Sequence, residues 1–444
     1  MTTKDLILDL VAKYFNEKHT TKKWTPGKDW VQYAGPYYTN EEYLSAISVL
    51  LDEWLVLGNK AVEFEKRFPL LVNRSYGVVT NSGSSSNLLM VAALKSKRLW
   101  GLKRGHIITP VAGFPTTLNP ILQNGFTPAF VDIELDTLNL NPEQADMAAY
   151  YFQAKGIMFA HVLGNPPEMD AIMNIVATHK LVFLEDCCDA LGSTYRGRPL
   201  GAFGAMSSYS FYPAHHITMG EGGFVVCSTA EQEKVVRSLR EWGRGCYCVG
   251  KAANLSTKGS CGCRFKNWIP AFPEEIFDHK YVYEEIGYNL KPIELQCAMG
   301  LSQLDKLPDI IAKRKANYEA LLAIFKQYEE HFILPKAIEH ADVSWFAFPL
   351  TVKDGAPFKR SEFCRFLEDR KIQTRNYFGG NLLLQPAYSD LVPAYGDYNK
   401  IKKLFPNATK ATTDTFFLGT SPVITKEQTT YIQEVVNEFF KKVT

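Results

Sequence analysis

The stretch YGVVTNSGSSSNLLMVAAL, residues 76–94, joins an apolar strand pattern to a helical pattern through a turn rich in glycine and serine. A strand that passes through such a turn into a helix is typical of α/β folds. Further apolar strand segments follow, separated by helical patterns. They occupy residues 106–114, 127–133, 156–164, 181–188, 207–213 and 222–228. Together the segments predict an α/β fold whose mostly parallel, seven-stranded sheet is covered by helices.

The length of 444 residues suits one large domain and one smaller domain. A helical apolar pattern over 294–332 predicts a long helix that connects them, and Thr425 with Gln428 has the spacing of a capping box that begins the last helix. We expect an N-terminal helix and linker over 1–35, a large cofactor-binding domain over 36–320 with a cysteine-rich insertion near 244–270, and a small C-terminal α+β domain over 321–444.

The composition limits the classes of partner. Hydrophobic residues make up 46% of the chain, charged residues 22%, and the formal net charge is +2. These values argue against a disordered chain, a nucleic-acid-binding tail or a polybasic membrane patch. No segment approaches the roughly 18 consecutive apolar residues of a membrane span. We therefore expect a cytoplasmic protein that binds small molecules or proteins, and neither nucleic acid nor membrane.

The turn between the first strand and its helix is a candidate phosphate site. Gly83 permits the tight turn, and the backbone N–H groups and hydroxyls of Ser84 and Ser85 would face any ligand placed there. An anion, most simply a phosphate, is favoured at such a helix N-terminus. Serine is also an ordinary helix cap, so the pattern alone leaves a purely structural role open.

Two carboxylates follow the strand at 181–188. Glu185 and Asp186 end a buried apolar segment, where an unpaired carboxylate is costly and calls for a cationic partner. A protonated pyridine nitrogen is one such partner. A neighbouring arginine or backbone N–H groups could satisfy the carboxylates equally, so this pattern also leaves two interpretations.

These segments, together with AGFPTT at 112–117, SFYPAHHITMGEGG at 210–223 and EIGYNLKPIELQCAMGLSQL at 285–304, resemble a known family in order and spacing. The family is the DegT/DnrJ/EryC1/StrS group of sugar aminotransferases, and the resemblance implies the type I fold of pyridoxal-phosphate-dependent aminotransferases. In that family the run SF-x-x-x-K supplies the lysine that binds pyridoxal phosphate covalently. The corresponding residue here is His215. An imidazole cannot replace the lysine amine, so an ordinary transamination cycle is not expected.

With the cysteines, this histidine resembles the iron–sulfur branch of the nucleotide-linked 4-keto-6-deoxyhexose 3-dehydratases. The resemblance implies noncovalent pyridoxamine phosphate (PMP), with His215 as the base and with Asp189 and Tyr212 orienting the base or the substrate. A histidine suits that role because its side chain titrates near neutral pH. It further implies a phosphate site of Gly83, Ser84, Ser85 and Ser210, stacking by Phe114, a ring-nitrogen contact from Asp186, and a phosphate contact from Asn289 of a second subunit.

The same resemblance gives the cysteines a role. It implies a [2Fe–2S] cluster held by Cys188, Cys246, Cys248 and Cys261, with Cys263 as a rival for the fourth position. The twelve residues between Cys248 and Cys261 are more than the family has in that loop. Two C-x-C pairs on one insertion could instead bind zinc. The other cysteines, Cys187, Cys227, Cys297 and Cys364, lie in apolar patterns and are expected in the core.

The sequence thus predicts a homodimeric 3-dehydratase that uses PMP and a [2Fe–2S] cluster, with a flavin or iron–sulfur reductase as electron donor. The implied substrate is CDP-4-dehydro-6-deoxyglucose, although no residue decides between CDP and TDP. Phe346 stands where the aminotransferases often carry a histidine, a further departure from transamination. Two alternatives stay open: a cluster-free 3-dehydratase that regenerates PMP from an amino donor, and a zinc-stabilised scaffold without catalytic activity.

Overall fold

The computed structural model describes residues 1–20, 23–248, 253, 255–259 and 262–443. A seven-stranded sheet of order β1-β9-β8-β5-β4-β2-β3 forms the centre of the large domain. Neighbouring strands of this sheet are parallel, except that β9 pairs antiparallel with β1 and with β8. The predicted sheet is confirmed. The strands of this first part of the chain are β1 (Tyr76–Thr80), β2 (His106–Pro110), β3 (Thr127–Val131), β4 (Gly156–Ala160), β5 (Val182–Asp186), β6 (Thr194–Tyr195), β7 (Arg198–Pro199), β8 (Met206–Ser210) and β9 (Gly223–Cys227).

Helices cover this sheet and bury its apolar side chains in two clusters, one on each face. Their starts are set by local capping: Ser82 accepts a hydrogen bond from the N–H of Ser85, and Thr229 with Gln232 forms a capping box. The helices are α1 (Thr3–Thr20), α2 (Asn40–Leu51), α3 (Asn59–Arg67), α4 (Gly83–Ala93), α5 (Pro115–Gln123), α6 (Pro142–Phe152), α7 (Met169–His179) and α8 (Ala230–Arg240), with short 3₁₀ turns at Phe68–Val72, Val162–Gly164 and His279–Tyr281.

The predicted long helix is α9 (Glu294–Lys326), of 33 residues. Its first half contributes Cys297 and Leu301 to the core of the large domain. Its second half contributes Leu321 and Phe325 to the core of the small domain. The expected boundary at residue 320 therefore falls within a continuous helix that both cores share.

The small domain has a four-stranded sheet of order β12-β14-β16-β15 and a core rich in phenylalanine. Its last helix begins with the expected capping box, because the N–H of Thr425 donates to Gln428 and the N–H of Gln428 donates to Thr425. No helix in the described part of the chain is long and apolar enough to cross a membrane. The remaining elements are β10 (Phe265–Lys266), β11 (Phe277–Asp278), β12 (Phe332–Ile333), β13 (Ala341–Asp342), β14 (Ala347–Val352), α10 (Arg360–Asp369), β15 (Arg375–Asn376), 3₁₀ turns at Leu382–Leu384 and Pro386–Tyr395, α11 (Tyr398–Leu404), α12 (Pro406–Asp414), β16 (Thr415–Gly419) and α13 (Lys426–Val443).

Candidate active site

A cavity of about 640 Å³ opens at the carboxyl edge of the large sheet. Parallel strands β2, β4, β5 and β8 end there, and small-domain residues from β15 and β16 close the opposite side. Ligand sites of open α/β sheets lie at this edge. Eight of the expected catalytic and cofactor-binding residues line the cavity: Gly83, Ser84, Phe114, Asp186, Asp189, Ser210, Tyr212 and His215.

The candidate phosphate site lies at the start of α4. Ser82, Gly83 and Ser84 line the cavity, and Ser210 faces them from β8. A Cβ added to Gly83 would lie 2.5 Å from Ser210 Cβ and 2.9 Å from Cys188 Sγ, so only glycine fits. Ser85 lies outside the lining and instead donates its N–H to Ser82 Oγ at 3.1 Å. Ser82, which the sequence interpretation did not single out, is thus both the helix cap and a cavity residue.

Asp186 presents a buried carboxylate to the cavity. One of its oxygens accepts hydrogen bonds from Asn87 Nδ2 at 2.8 Å and from Thr117 Oγ1 at 2.7 Å, and the other accepts one from the N–H of Cys188 at 3.1 Å. These neutral donors stabilise the ionised carboxylate. In the described residues Asp186 forms no ion pair, so its charge fits a protonated pyridine nitrogen. Phe114, 51% exposed at the start of α5, supplies an open aromatic face beside it.

Glu185, the neighbour of Asp186, has a different role because successive side chains of a strand point to opposite faces. Its carboxylate is fully buried and accepts hydrogen bonds from the backbone N–H groups of Gly201, Phe203 and Gly204 and from His161. Glu185 therefore does not need the cationic partner that its buried position suggested. His161, Glu185 and Cys187 form the one tight group of metal-ligand types among the described residues, but the oxygens of Glu185 are already used by these donors. The carboxylate holds the loop before β8.

His215 lies in the turn after β8 and faces the cavity. Its Nδ1 is 3.4 Å from Asp189 Oδ1, and its ring packs against Phe346 at a centroid distance of 5.2 Å. Tyr212, 49% exposed, lies on the same wall. No lysine lines this cavity in the part of the chain that the structure describes. The described cavity wall therefore offers the imidazole of His215 and no lysine amine.

Arg314 supports the turn that carries His215, and no sequence pattern singled it out from the other charged residues of its helix. This fully buried guanidinium, on α9, donates to the backbone carbonyls of Ala214, His215 and Phe346 at 2.9–3.0 Å. Burial lowers the pKa of Arg314, and Asp189 acts in the opposite direction. One side chain thus fixes the turn that carries His215 and the strand entry that carries Phe346.

His216, to which the sequence interpretation gave no role, is a buried packing residue. Its Nε2 donates to the carbonyl of Ser344 at 2.9 Å, and it is 3% exposed. Burial, and secondarily the charge of Arg314, lower the pKa of His216 well below the usual value. A neutral imidazole with one structural hydrogen bond results.

The described cysteines do not gather into a metal site within one chain. Cys188 lines the active-site cavity, whereas Cys246 and Cys248 line a separate cavity of about 270 Å³ with Trp242 and Lys291. Cys261 lies outside the described residues, and no three of the described cysteines have their sulfurs close together. Because Cys261 is one of the four expected ligands, the predicted cluster and the alternative zinc site both stay predictions. Of the cysteines expected in the core, Cys187, Cys227 and Cys297 are fully buried, and Cys364 packs partly buried against the small-domain core.

Asn289 does not contribute to the cavity of its own chain. It is exposed and pairs with Glu241 next to the second cavity. An exposed position is compatible with the predicted contact to a second subunit, which stays a prediction.

Comparison with known proteins identifies the family of the chain. The profile of the DegT/DnrJ/EryC1/StrS aminotransferase family matches residues 36–437. The chain belongs to this family. Lipopolysaccharide biosynthesis protein RfbH of Salmonella typhimurium is 39% identical to it over 98% of both chains. The dTDP-4-dehydro-2,6-dideoxy-D-glucose 3-dehydratase of Saccharopolyspora spinosa is 38% identical over 99% of this chain and 92% of its own.

Solved structures of family members share the fold. The GDP-4-keto-6-deoxy-D-mannose 3-dehydratase of E. coli, solved with bound hydrated pyridoxal phosphate, has a TM-score of 0.76 and 28% identity, and the alignment covers 92% of this chain and 99% of that one. The same enzyme type has been solved with a trapped adduct of pyridoxal phosphate and glutamate, with a TM-score of 0.77 and 29% identity over 91% and 99% of the two chains. The predicted type of fold is confirmed.

Proposed function

We propose that this protein is a 3-dehydratase of a nucleotide-linked 4-keto-6-deoxyhexose and that it uses noncovalently bound PMP. The observation that carries the proposal is the cavity wall at His215. It presents an imidazole where a covalent cofactor site requires an amine, and no lysine of the described residues lines the cavity. The family relatives named as 3-dehydratases of nucleotide sugars support the same reaction class.

The residues of this cavity suit PMP. The N–H groups at the start of α4, with Ser82, Ser84 and Ser210, would bind its phosphate. Phe114 would pack on the ring, and Asp186, which lines the cavity and forms no ion pair among the described residues, would pair with the ring nitrogen. When bound, PMP supplies an amine that condenses with the 4-ketone and a ring that withdraws electrons from the adjacent carbon.

His215 is the proton carrier in this proposal. Its Nδ1 faces Asp189, which leaves Nε2 to take the proton from the cofactor's methylene carbon and to deliver a proton to the departing 3-hydroxyl. Asp189 stabilises the protonated imidazole and fixes its orientation, and Tyr212 lines the same wall for the substrate. The buried Arg314 keeps the turn in place while the proton moves.

To test the proposal, the PMP-loaded protein is given CDP-, dTDP- and GDP-linked 4-keto-6-deoxyhexoses, and the products are analysed by NMR and mass spectrometry. We expect loss of the C3 oxygen with at least one substrate, and we expect His215→Asn to abolish it. A wild-type protein that only forms the 4-amino sugar and leaves C3 unchanged would overturn the proposal.

The supply of electrons is the finer part of the proposal. The resemblance favours a [2Fe–2S] cluster on Cys188, Cys246, Cys248 and Cys261 with a partner reductase. Cys261 lies outside the described residues, and Cys188 lines a different cavity from Cys246 and Cys248, so no step is derived through the cluster. The related dehydratase solved with a trapped adduct of pyridoxal phosphate and glutamate supports the alternative, in which an amino donor would restore PMP in this protein.

Iron analysis separates these routes. Protein purified under anaerobic, iron-replete conditions should show iron–sulfur absorption that Cys188→Ser removes and that Cys263→Ser, its matched control, retains. Loss of metal from Cys263→Ser alone would favour a local zinc site. Iron-free wild type whose turnover depends on L-glutamate would replace the cluster with the amino-donor route.

A further inference from the structure

Arg375 is the one lysine or arginine among the described residues that line the active-site cavity. The cavity is also lined by three carboxylate side chains, Asp186, Asp189 and Glu221. The guanidinium of Arg375 nevertheless forms no ion pair in the described part of the chain. Only Nη1 donates to the protein, to the carbonyl of Thr374 at 2.8 Å, which leaves Nε and Nη2 available to a ligand.

The position of Arg375 is set by the small-domain sheet. It lies opposite Phe417 in the antiparallel pair β15–β16, so both side chains emerge on the same face of the sheet, the face toward the cavity. The guanidinium carbon lies 4.3 Å from the centroid of the Tyr33 ring, which holds the planar group by a cation–π contact. Arg375 is therefore positioned by two neighbours that leave its outer edge open.

Aromatic rings of the cavity wall contact one another in series. His215 packs on Phe346, Phe346 on Phe417 at 6.3 Å, and Phe417 on Tyr33 at 6.1 Å. Arg375, which packs on Tyr33, is thus connected to His215 through a series of aromatic ring contacts.

We propose that Arg375, held on Tyr33, binds the diphosphate of the nucleotide-sugar substrate. The inference rests on the proposed function, since it assigns a subsite of the same cavity. Guanidinium groups bind phosphate oxygens through paired N–H donors, and Nε with Nη2 forms such a pair. A carboxylate of an amino donor is the competing ligand. Titration of L-glutamate into the wild type and into Arg375→Gln separates the two ligands.

Calorimetry with the PMP-loaded protein tests the subsite without turnover. CDP, dTDP and GDP are each titrated, followed by the monophosphate and the nucleoside of the base that binds tightest. Arg375→Gln should weaken nucleoside diphosphate binding by about 10- to 100-fold, and nucleoside binding by less than about twofold. Arg375→Lys should fall between Gln and wild type. Arg365→Gln, on the exposed face of α10 and outside the cavity lining, is the matched control and should change neither affinity.

The outcomes separate the subsite from the reaction. Equal weakening of nucleoside and diphosphate by Arg375→Gln, or no weakening, would overturn the subsite, and so would a loss confined to L-glutamate binding. If C3 dehydration by Arg375→Gln keeps the wild-type KM, the subsite is wrong and the proposed function stands. A wild-type protein that neither binds a nucleoside diphosphate nor removes the C3 oxygen would contradict both.

Discussion

His215 places a titratable ring where an amine would anchor the cofactor, and its surroundings retain the other features of the family site. His215→Lys should therefore restore a covalent attachment point, since in the proposed site the candidate phosphate site at Gly83 and the carboxylate of Asp186 would still position the ring. We expect borohydride to fix pyridoxal phosphate to His215→Lys, detected by mass spectrometry of the intact protein, with loss of C3 dehydration.

His215→Asn is the control for that experiment, because it removes the base without adding an amine. Neither it nor the wild type should retain the cofactor after reduction and denaturation. Equal labelling of wild type and His215→Lys would show that another lysine binds the cofactor.

His216 gives the protein a pH-dependent stability. Its pKa is lowered in the folded state, so below about pH 6.5 the unfolded chain binds a proton that the folded chain does not. The free energy of unfolding should therefore fall as the pH drops from 6.5 to 5, by up to about 1.4 kcal/mol per pH unit from this residue. His216→Gln keeps an N–H donor for Ser344 but cannot titrate, so its urea-unfolding free energy should fall less steeply. His340→Gln, at an exposed histidine, should keep the wild-type slope; parallel curves for wild type and His216→Gln would contradict the assignment.

At the scale of elements, α9 brings Arg314 to the carbonyls of Ala214, His215 and Phe346. Arg314→Met leaves these carbonyls without a partner and frees the turn that carries the base. We expect kcat to fall by about 100-fold while KM for the sugar changes little, because small displacements of a catalytic group cost turnover more than binding. Arg314→Lys should recover part of kcat. The control is Lys315→Met, the next residue of the helix, which pairs with Asp342 near the surface. A proportional rise in KM, or no recovery with lysine, would assign Arg314 to folding alone.

The sequence predicted the elements well because their signals are local. Strand β1, the turn at Gly83 and helix α4 follow from apolar periodicity and capping within one short stretch. The sequence could not separate Glu185 from Asp186, because their hydrogen-bond donors come from loops and helices far along the chain. Arg314 gave no signal for the same reason. The fold places Cys188 in one cavity and Cys246 with Cys248 in another, and the ligand set that the resemblance implied stays a prediction because Cys261 lies outside the described residues.

At the scale of the whole molecule, the predicted role of Asn289 requires two chains. If Asn289 serves the site of a second subunit, mixing His215→Asn chains with Asn289→Ala chains should restore activity, because each mixed dimer contains one site with both native residues. After unfolding and refolding together, we expect about a quarter of wild-type activity from a random mixture. The separately refolded variants are the controls. A mixture no more active than its components would place Asn289 in its own chain's site, or outside any site.

Helix α9 also limits where this chain can be joined to a relative in a chimeric protein. At about 1.5 Å per residue it extends roughly 50 Å, and its two halves complete two different cores. The small domain is therefore not a transferable module, since a chimera joined at residue 320 would pair one protein's half-helix with another protein's phenylalanine-rich core. A junction after Lys326 keeps the helix intact but still exchanges the surface on which it packs. Grafting a new nucleotide preference onto this scaffold consequently calls for point changes at the cavity mouth rather than exchange of whole C-terminal segments.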